Sequence, residues 1–401
     1  MKKLIAVLTA VMLCASFTAC GRSNTDSGDK GGETVNLRVW GAQDDQKVLQ
    51  TMIDSFKKAN PDKNYNITLG VVGEDDAQAR LLEDAAAAAD VFSFPDDQIY
   101  DLVKAGALYE ITRNKDEIED RNIESAVEAA TIDDELYAYP ATADNGYFMY
   151  YDKSVVSAEQ AQTLEGVLAA CQEQGKKFFM DVSNGWYAAA FFLAAGCEIE
   201  LGDDGKQICN FNNEDGIKAG EAIKNLCAHS AFVTGDDAVF TGGIGSNIAA
   251  GVSGAWTADA VEQKLGDNYA AVKLPTVKIG DEQTQLKSFA GYKLIGINSS
   301  TKEPVEAMKL AEWITNEENQ LLRFKERAAG PSNKKAAENE EVKKNIALNA
   351  LAEQNKYGVS QRGILTTFWT PVEAFGTAME NKDYSQSIKQ QLDSMVKDIT
   401  S

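Results

Sequence analysis

The 401-residue sequence is poor in the residues that most catalytic and metal-binding chemistry requires. It has one histidine, His229, so a Ser-His-Asp triad or a histidine-rich zinc site has almost nothing to draw on. No CxxC pair occurs among its six cysteines, which argues against a thiolate metal site. The glycine-rich segments TGGIGSN and GVSGA lack the phosphate-loop lysine and the second glycine of a nucleophile elbow, respectively. We therefore predict no metal site and no cofactor.

Positive charge is scarce as well. The chain has 39 Lys and Arg against 61 Asp and Glu, which gives a formal net charge of -22 at pH 7. Such a chain is repelled by nucleic acid and by anionic lipid, so we predict neither as a partner of its surface. Asp236 and Asp237 lack the ligand periodicity of an EF-hand loop and are interpreted as a solvated turn.

The N-terminal residues have the features of a bacterial export signal. Two lysines precede an apolar run over residues 4–17 that is too short to span a bilayer. The triplet TAC at residues 18–20 then resembles the lipobox of bacterial lipoproteins, in which cleavage leaves a cysteine that carries a diacylglyceryl group. The alternative is an ordinary secretory signal with an incidental cysteine.

The segment after Cys20 favours the lipoprotein. Its polar, glycine-rich run RSNTDSGDKGGE cannot bury a core and is typical of a flexible tether. We predict a signal peptide over residues 1–19 and a lipidated cysteine with its tether over residues 20–33. The folded protein would then be held on the extracellular face of the cell membrane by its lipid alone.

The rest of the chain alternates strand and helix patterns. VNLRVW, YNITLGVV and DVFSF are predicted strands, and the first is followed by a helix in which Val48, Leu49, Met52, Ile53 and Phe56 recur at helical spacing. Residues 75–89 are predicted as an alanine-rich helix. This alternation predicts an α/β fold with a mostly parallel sheet covered on both faces. About 365 residues remain after the signal and tether, which indicates two domains or lobes.

The second half repeats this alternation. ELYAYP and NGYFMYYDK are predicted as two extended segments, and a second α/β series follows Lys153. PVEAMKLAEWITNEENQLLRF is predicted as one strongly amphipathic helix. CEIELGDDGKQIC is predicted as a β-hairpin that could place Cys197 and Cys209 on facing strands. Whether these two pair, or pair with Cys171 and Cys227, stays open from spacing alone.

The five tryptophans divide by context. Trp313 lies among apolar residues at helical spacing, which predicts core packing. Trp186, Trp256 and Trp369 each stand at a strand end or in a loop before a helix, in NGWY, SGAWT and TTFWTP. α/β sheets present side chains to a cleft at such positions, and flat aromatic faces suit the apolar faces of sugar rings. Each of the three, taken alone, is compatible with the core or with a binding site.

Seven segments together resemble the bacterial extracellular solute-binding proteins of ABC importers, in the branch of the maltose- and maltodextrin-binding proteins. They are LRVWGAQDD, ADVFSFPDDQIYDLVKAGALYEI, LYAYPATADNGYFMYYDKS, NGWY, IAAGVSGAW, FAGYKLIGINSSTK and GILTTFWTPVEAF. The resemblance covers the chain from residue 35 to its C-terminus. It implies a periplasmic-binding-protein-like fold, in which two α/β lobes are joined by a three-crossover hinge and close over a ligand, with no reaction catalysed.

The resemblance also implies lobe boundaries and a ligand site. The N-terminal lobe would comprise residues 34–143 and 290–328, and the C-terminal lobe residues 144–289 and 329–401. Asp45 stands where the best-known pattern of the family has a lysine, and one extra residue near NGYFMYY leaves open whether Asp144 or Asn145 faces the ligand. The predicted ligand-binding residues are the aromatics Phe94, Trp186, Tyr187, Trp256, Tyr292 and Trp369 and the polar residues Asp44, Asp45, Glu74, Asp97, Asp144 and Asn145.

The function that follows from this resemblance is transport rather than catalysis. We expect a monomeric, lipid-anchored protein that captures malto-oligosaccharides such as maltose, maltotriose or maltodextrin and delivers them to the permease subunits of an ABC importer. One alternative keeps the fold and changes the ligand to another neutral oligosaccharide. A second alternative is a surface glycoside hydrolase, for which the many acidic residues supply candidate carboxylate pairs that composition cannot identify.

Overall fold

The computed structural model describes residues 34–401, so the predicted signal peptide, lipidation site and tether lie outside the described residues. The strands are β1 (Thr34–Gly41), β2 (Asn64–Val71), β3 (Val91–Pro95), β4 (Thr131–Ile132), β5 (Glu135–Leu136), β6 (Ala138–Asp152), β7 (Lys177–Phe179), β8 (Ile199–Leu201), β9 (Gln207–Cys209), β10 (Phe232–Val233), β11 (Ile248–Gly254), β12 (Tyr269–Val272), β13 (Thr276–Ile279), β14 (Glu282–Gln285), β15 (Ser288–Ile297) and β16 (Gly358–Ser360).

The helices lie between and after these strands. They are α1 (Gln46–Ala59), α2 (Ala77–Glu83), α3 (Ile99–Lys104), α4 (Lys115–Arg121), α5 (Glu124–Ala129), α6 (Leu164–Glu173), α7 (Gly185–Ala194), α8 (Glu214–Ala228), α9 (Asp237–Gly243), α10 (Ala258–Leu265), α11 (Pro304–Ile314), α12 (Glu317–Arg327), α13 (Lys334–Ala337), α14 (Glu340–Lys344), α15 (Ile346–Asn355), α16 (Trp369–Glu380) and α17 (Ile388–Ile399). Short 3-10 turns follow several strands, among them Gln43–Asp45, Asp96–Gln98 and Ala255–Thr257.

The first lobe has a core formed by residues 35–141 and 294–314. Strand β1 pairs in parallel with both β2 and β3, and Val35, Leu37 and Val39 alternate inward along it. The predicted amphipathic helix is confirmed as α1, whose five apolar residues are all buried. Side chains of opposite faces alternate along a strand, so this pattern buries one face of β1 beneath the helix.

The second lobe has its largest core cluster in residues 147–289 and 364–399. Strand β7 lies next to the edge strand β10 of the sheet and pairs in parallel with β10 and β11. Helix α7, GWYAAAFFLA, is apolar on every side and has nine of its ten residues buried. A helix of that composition cannot lie on a surface, and α7 packs between α8 and α16 in the lobe interior.

Two long strands run through both lobes. The first part of β6 pairs with β15, and its second part, from Tyr147 onward, pairs with β11 and β12. The extended conformation predicted for these two segments is confirmed, but they were not predicted to join, and most of both forms one strand of 15 residues. Along β15, the segment Ser288–Ala290 pairs with β16, and Lys293–Ile297 pairs with β3. The paired strands link both half-sheets into one ten-stranded sheet.

The pairing of β6 with β15 is irregular between the lobes. Asn145 pairs with Gly291 and Thr142 with Lys293, so two residues of β6 stand opposite the single residue Tyr292 of β15. This is the geometry of a β-bulge, which bends a strand and redirects its side chains. A third connection runs alongside, where Ala143 N donates to Gly330 O at 2.8 Å. The predicted lobe boundaries fall within these three connections and stay predictions.

Two helix predictions are wrong in extent. The helix predicted over residues 75–89 is confined to Ala77–Glu83, and a turn follows at Asp84. The single amphipathic helix after residue 303 is interrupted at Asn316, whose side chain accepts from Asn319 N at 2.9 Å and caps α12. Asn side chains favour helix N-caps over helix interiors, which explains the break.

The cysteine hairpin is confirmed, with β8 paired to β9, but Cys209 stands opposite Ile199 rather than Cys197. All four described cysteines are free and buried. Burial raises the thiol pKa to about 12 for Cys171, Cys197 and Cys227 and to about 11 for Cys209. Among residues 34–401, no helix is long and apolar enough to cross a bilayer, and no group of metal-ligating side chains could hold a metal ion.

Candidate functional site

A cavity of about 1190 Å³ lies between the two lobes. Its first-lobe side is built from the segments that follow β1, β2 and β3, and its second-lobe side from the segments that follow β7 and β11 and precede α16. The carboxyl ends of parallel strands meet at one edge of a sheet, which is where open α/β folds bind ligands. The cavity thus lies where the loops at the carboxyl ends of both half-sheets face each other.

Three half-buried indoles form the second-lobe wall. Trp186 lies in the first turn of α7, Trp256 in a 3-10 turn directly after β11, and Trp369 at the first residue of α16. The rings of Trp186 and Trp256 are 6.0 Å apart between centroids. Helices α7 and α16 approach each other so closely that a Cβ at Gly185 would lie 3.2 Å from Trp369 O. The three tryptophans that the sequence suggested as binding residues all line this one cavity.

Hydrogen bonds fix two of these indoles. Trp186 Nε1 donates to Gln361 Oε1 at 2.9 Å, and Trp256 Nε1 donates to Asp237 Oδ2 at 2.7 Å. The N–H group is the one hydrogen-bond donor of an indole, so each of these bonds fixes the direction in which the N–H edge of the ring points. The exposed ring faces are thereby left for a ligand, in a fixed orientation.

The first-lobe side of the cavity is acidic. Asp44 and Asp45 lie in the 3-10 turn after β1, Glu74 in the loop after β2, and Asp97 in the 3-10 turn after β3. Burial raises the pKa of Asp97, and its neighbour Asp96 raises it further. Carboxylates accept strong hydrogen bonds from hydroxyl groups, so this side is suited to a polyhydroxylated ligand.

Asp45 is paired with two arginines of α12. Arg323 Nη1 contacts Asp45 Oδ2, and Arg327 Nε lies 3.3 Å from Asp45 Oδ1. Burial would raise the pKa of Asp45, but Arg323, Lys293 and Arg327 lower it below its ordinary value. An acidic residue at this position is therefore ionised and held against α12, while the exposed Asp44 reaches Arg327 at 3.4 Å.

Lys293 is a cavity residue that the sequence reasoning missed. It projects from β15, and its Nζ lies 2.6 Å from Glu74 Oε2 and 5.7 Å from the ring of Trp256. Burial would lower the pKa of Lys293, but Glu74, Asp144 and Asp45 raise it, so the amine stays charged. The available signal was a lysine inside the apolar strand FAGYKLIGI, because a charge there needs a buried partner.

Four of the predicted residues do not line the cavity. Phe94 is fully buried in the first-lobe core with its ring 5.3 Å from that of Phe92, which contradicts its predicted stacking role. Both faces of β3 are covered, so every side chain from Val91 to Phe94 points into protein. Tyr187 is buried behind Trp186, with ring centroids 5.2 Å apart. Tyr292 turns away, and its hydroxyl donates to Ser125 Oγ at 2.7 Å.

The choice between Asp144 and Asn145 is decided by the bulge in β6. Asp144 is buried and accepts a hydrogen bond from Gly330 N at 2.7 Å, so it belongs to the connection between the lobes. Asn145 lines the cavity. The cavity thus collects eight of the twelve predicted residues, namely Asp44, Asp45, Glu74, Asp97, Asn145, Trp186, Trp256 and Trp369.

Further polar residues of the cavity were not predicted. Asp237 was interpreted as a solvated turn, but it begins α9 and bonds both Trp256 and Ser253. Both Gln361 and Thr366 lie between β16 and α16; Gln361 stands just before the segment GILTTFWTPVEAF, and Thr366 stands within it but was not selected. Thr366 Oγ1 donates to Asp101 Oδ2 across the cavity at 2.9 Å. Such contacts depend on the approach of distant segments and left no pattern in the local sequence.

Comparison with known proteins agrees with this architecture. The family described as bacterial extracellular solute-binding protein matches residues 51–350, and the chain belongs to that family. The galactooligosaccharide-binding protein of Bacillus subtilis strain 168 is 25% identical over 401 residues, covering 93% of this chain and 92% of that protein. The maltodextrin-binding protein MdxE of the same organism is 24% identical over 403 residues, covering 93% and 91%.

Solved structures show the same fold. A protein chain whose structure was determined with acarbose is 31% identical, superposes with a TM-score of 0.84, and covers 92% of this chain and 99% of that chain. The fold class predicted from the resemblance is therefore confirmed. Members of this family bind solutes and are not enzymes, and the cavity between the lobes is the candidate site for a solute.

Proposed function

We propose that this protein captures malto-oligosaccharides such as maltose, maltotriose or maltodextrin in the cavity between its lobes and delivers them to an ABC importer. The observation that carries the proposal is the facing arrangement of three indoles and a row of carboxylates around one cavity. Indole faces stack on the apolar faces of pyranose rings, while carboxylates accept hydrogen bonds from the hydroxyls at the ring edges. The cavity of about 1190 Å³ has room for more than one sugar ring.

The attachment and the partner belong to the same proposal. Extracellular location with a lipid at Cys20 is supported by the lipobox and tether in the sequence, which lie outside the described residues. Delivery to importer permease subunits is supported by membership of the solute-binding family. We place the protein on the extracellular face of the cell membrane, where it acts as a monomer.

A galacto-oligosaccharide is the second candidate ligand. One of the curated relatives, 25% identical along nearly the whole chain, is named a galactooligosaccharide-binding protein. The same indoles and carboxylates would serve a galacto-oligosaccharide, because both sugar classes are neutral and their rings present an apolar face. The two candidates differ in linkage geometry and therefore in how successive rings meet the three indoles.

Calorimetric titration with a sugar panel tests the proposal. The panel contains maltose, maltotriose, maltotetraose, galactotriose and cellotriose, and each sugar is also tested by thermal unfolding. A ligand at 100 times its Kd stabilises the protein by about 2.7 kcal/mol, so the two measurements must agree. Preferential binding of the maltose series supports the proposal, and preference for galactotriose selects the second candidate. Binding of no neutral sugar, or release of glucose from maltotetraose, contradicts both.

A further inference from the structure

Gln361 occupies an unusual position at the floor of the cavity. Its side chain is buried, with 1% of the residue exposed, yet it reaches the cavity surface. Nε2 donates to Asp96 Oδ1 at 2.6 Å and to Asp97 Oδ1 at 3.3 Å, and Oε1 accepts from Trp186 Nε1 at 2.9 Å. One amide therefore contacts three side chains, two of which line the cavity.

The partners of Gln361 come from opposite lobes. Asp96 and Asp97 belong to the 3-10 turn after β3 in the first lobe, and Trp186 to the first turn of α7 in the second. An indole N–H can only donate, and an ionised carboxylate can only accept. The amide of Gln361 is consequently used in one orientation, and its flipped form would lose every one of these bonds.

The packing around the amide leaves little freedom. A Cβ at Gly291 would lie 2.5 Å from both Asp96 Oδ1 and Gln361 Nε2, so only glycine fits beside the pair. Asp96 is fully buried and also accepts from Tyr292 N at 3.0 Å, while its Oδ2 has no hydrogen-bond partner among residues 34–401. Close packing of this kind prevents the amide from sliding to another partner.

Among residues 34–401, Gln361 supplies the side-chain hydrogen bonds to this acidic pair, beside the backbone N–H of Tyr292 that also donates to Asp96. Burial raises the pKa of Asp96 to about 7. No ion pair to Asp96 or Asp97 occurs within residues 34–401, and the charged groups that act on them are Arg362, Asp101 and Asp75. The amide of Gln361 is thus a neutral donor at a place where a carboxylate would add a further negative charge.

We propose that Gln361 is a positioning residue that sets the indole of Trp186 and the carboxylate of Asp97 in one fixed relation at the floor of the cavity, beside the crossover at Gly291. The inference rests on the proposed function in one respect, since the bound oligosaccharide is what would contact both groups. Stacking on Trp186 and hydrogen bonding to Asp97 then require the same ligand placement. The amide of Gln361, which lies outside the segments that carry the family resemblance, thus links the ligand contact of the second lobe, Trp186, to that of the first lobe, Asp97.

Two variants and a matched control test this role. Gln361→Leu removes the amide, and Gln361→Glu replaces its donor group by an oxygen. Gln354→Glu is the control, because Gln354 is equally buried and its side chain, within the described part of the chain, bonds Leu274 N and Leu286 O away from the cavity. Each variant is measured by calorimetric titration with maltotriose at pH 8 and pH 5, and by the indole N–H resonances of nitrogen-15-labelled protein at pH 7 without ligand. Trp186→Phe assigns the resonance of Trp186.

We expect the Trp186 resonance to shift in both Gln361 variants and to stay in place in Gln354→Glu. Because these hydrogen bonds also exist without ligand, their full value, about 10- to 150-fold in an equilibrium constant, is the upper limit of the loss of affinity that we expect at pH 8 for both Gln361 variants. At pH 5 Asp96, whose pKa burial raises to about 7, is protonated, and so is the carboxyl group introduced by Gln361→Glu, because the same burial raises its pKa; the new carboxyl can then donate to Asp96 and accept from Trp186 again. Gln361→Glu should therefore recover to within about threefold of the wild type at pH 5, whereas Gln361→Leu should show no recovery.

Three results would overturn the inference. The first is an unshifted Trp186 resonance in Gln361→Leu, and the second is maltotriose affinity in that folded variant within about twofold of the wild type. Equal losses in Gln361→Glu at both pH values also contradict it, because a merely structural role would show no recovery of affinity on protonation. If the wild type binds no sugar of the panel, the proposed function fails, and the ligand-free resonance still decides the positioning role.

Discussion

Replacing Trp369 by alanine separates a binding tryptophan from a packing tryptophan. The ring lines the cavity on one side and packs edge-to-face on Phe289 and Phe368 on the other, with centroid distances of 5.8 and 5.0 Å. Stacking of a sugar ring on this indole is comparable to base stacking and contributes about 1 to 3 kcal/mol. Trp369→Ala should therefore weaken maltotriose binding by about 5- to 150-fold.

The same substitution also has a cost in stability. Each edge-to-face aromatic pair contributes about 0.5 to 1.5 kcal/mol beyond its buried area, so the two lost pairs lower the free energy of unfolding by about 1 to 3 kcal/mol. Trp313→Ala is the matched control. Trp313 lies on α11, packs edge-to-face on Phe56 at 6.1 Å and donates to Ser55 Oγ at 3.0 Å, away from the cavity.

The assay combines calorimetric titration with urea unfolding on both variants. Trp369→Ala is expected to lose affinity and some stability, whereas Trp313→Ala should lose stability and keep its affinity within about twofold. The reasoning is refuted if Trp369→Ala binds maltotriose as tightly as the wild type while its unfolding midpoint falls. That result would assign Trp369 to the core of the second lobe and leave stacking to the other two indoles.

Three further predictions concern stability, attachment and motion. Burial would raise the pKa of Glu306, but hydrogen bonds from Tyr65, Lys309 and Lys63 lower it from 4.5 to about 2, so the stability that its ionised form contributes is present above pH 4.5 and lost toward pH 2. Glu306→Gln should therefore destabilise the protein at pH 7 and progressively less in acid, and a pH-independent difference in the free energy of urea unfolding would contradict this. Cys20→Ser should release folded protein into the medium, and its retention in salt-washed membranes would show another anchor. The lobes should close on maltotriose by bending at the crossovers predicted near residues 141–146, 287–291 and 326–332, which small-angle scattering would detect as a smaller radius of gyration. An unchanged radius at saturation would argue against closure from an open free form.

Local sequence patterns were sufficient for most of the individual elements. The spacing of apolar residues predicted α1, and alternation predicted β1 and β2, because both patterns reflect which face of one element is buried. The break at Asn316 is also caused by a local residue, which caps the second helix with its side chain. The apolar residues keep their helical spacing across this break, so the spacing alone did not reveal it. Errors in extent therefore arose where a side chain caps or turns the backbone.

The site was predicted unevenly for a related reason. Trp186, Trp256 and Trp369 could be selected because each follows a strand or precedes a helix, where a side chain is directed to an edge of the sheet. Phe94 was predicted from the family resemblance and lies in the core instead, because the helices and strands that cover both faces of β3 are distant in the sequence.

The sequence by itself determined the order of strands and helices, the acidic character of the chain and the candidate indoles, since these follow from residue type and local spacing. The tertiary structure decided the rest of the site. Lys293 became a cavity residue through its pairing with Glu74, and Asn145 rather than Asp144 reached the cavity through a register shift between β6 and β15. Gln361 gained its role from partners in opposite lobes. Each of these depends on contacts between segments far apart in the chain, whose geometry is set by the packing of the whole fold and not by neighbouring residues.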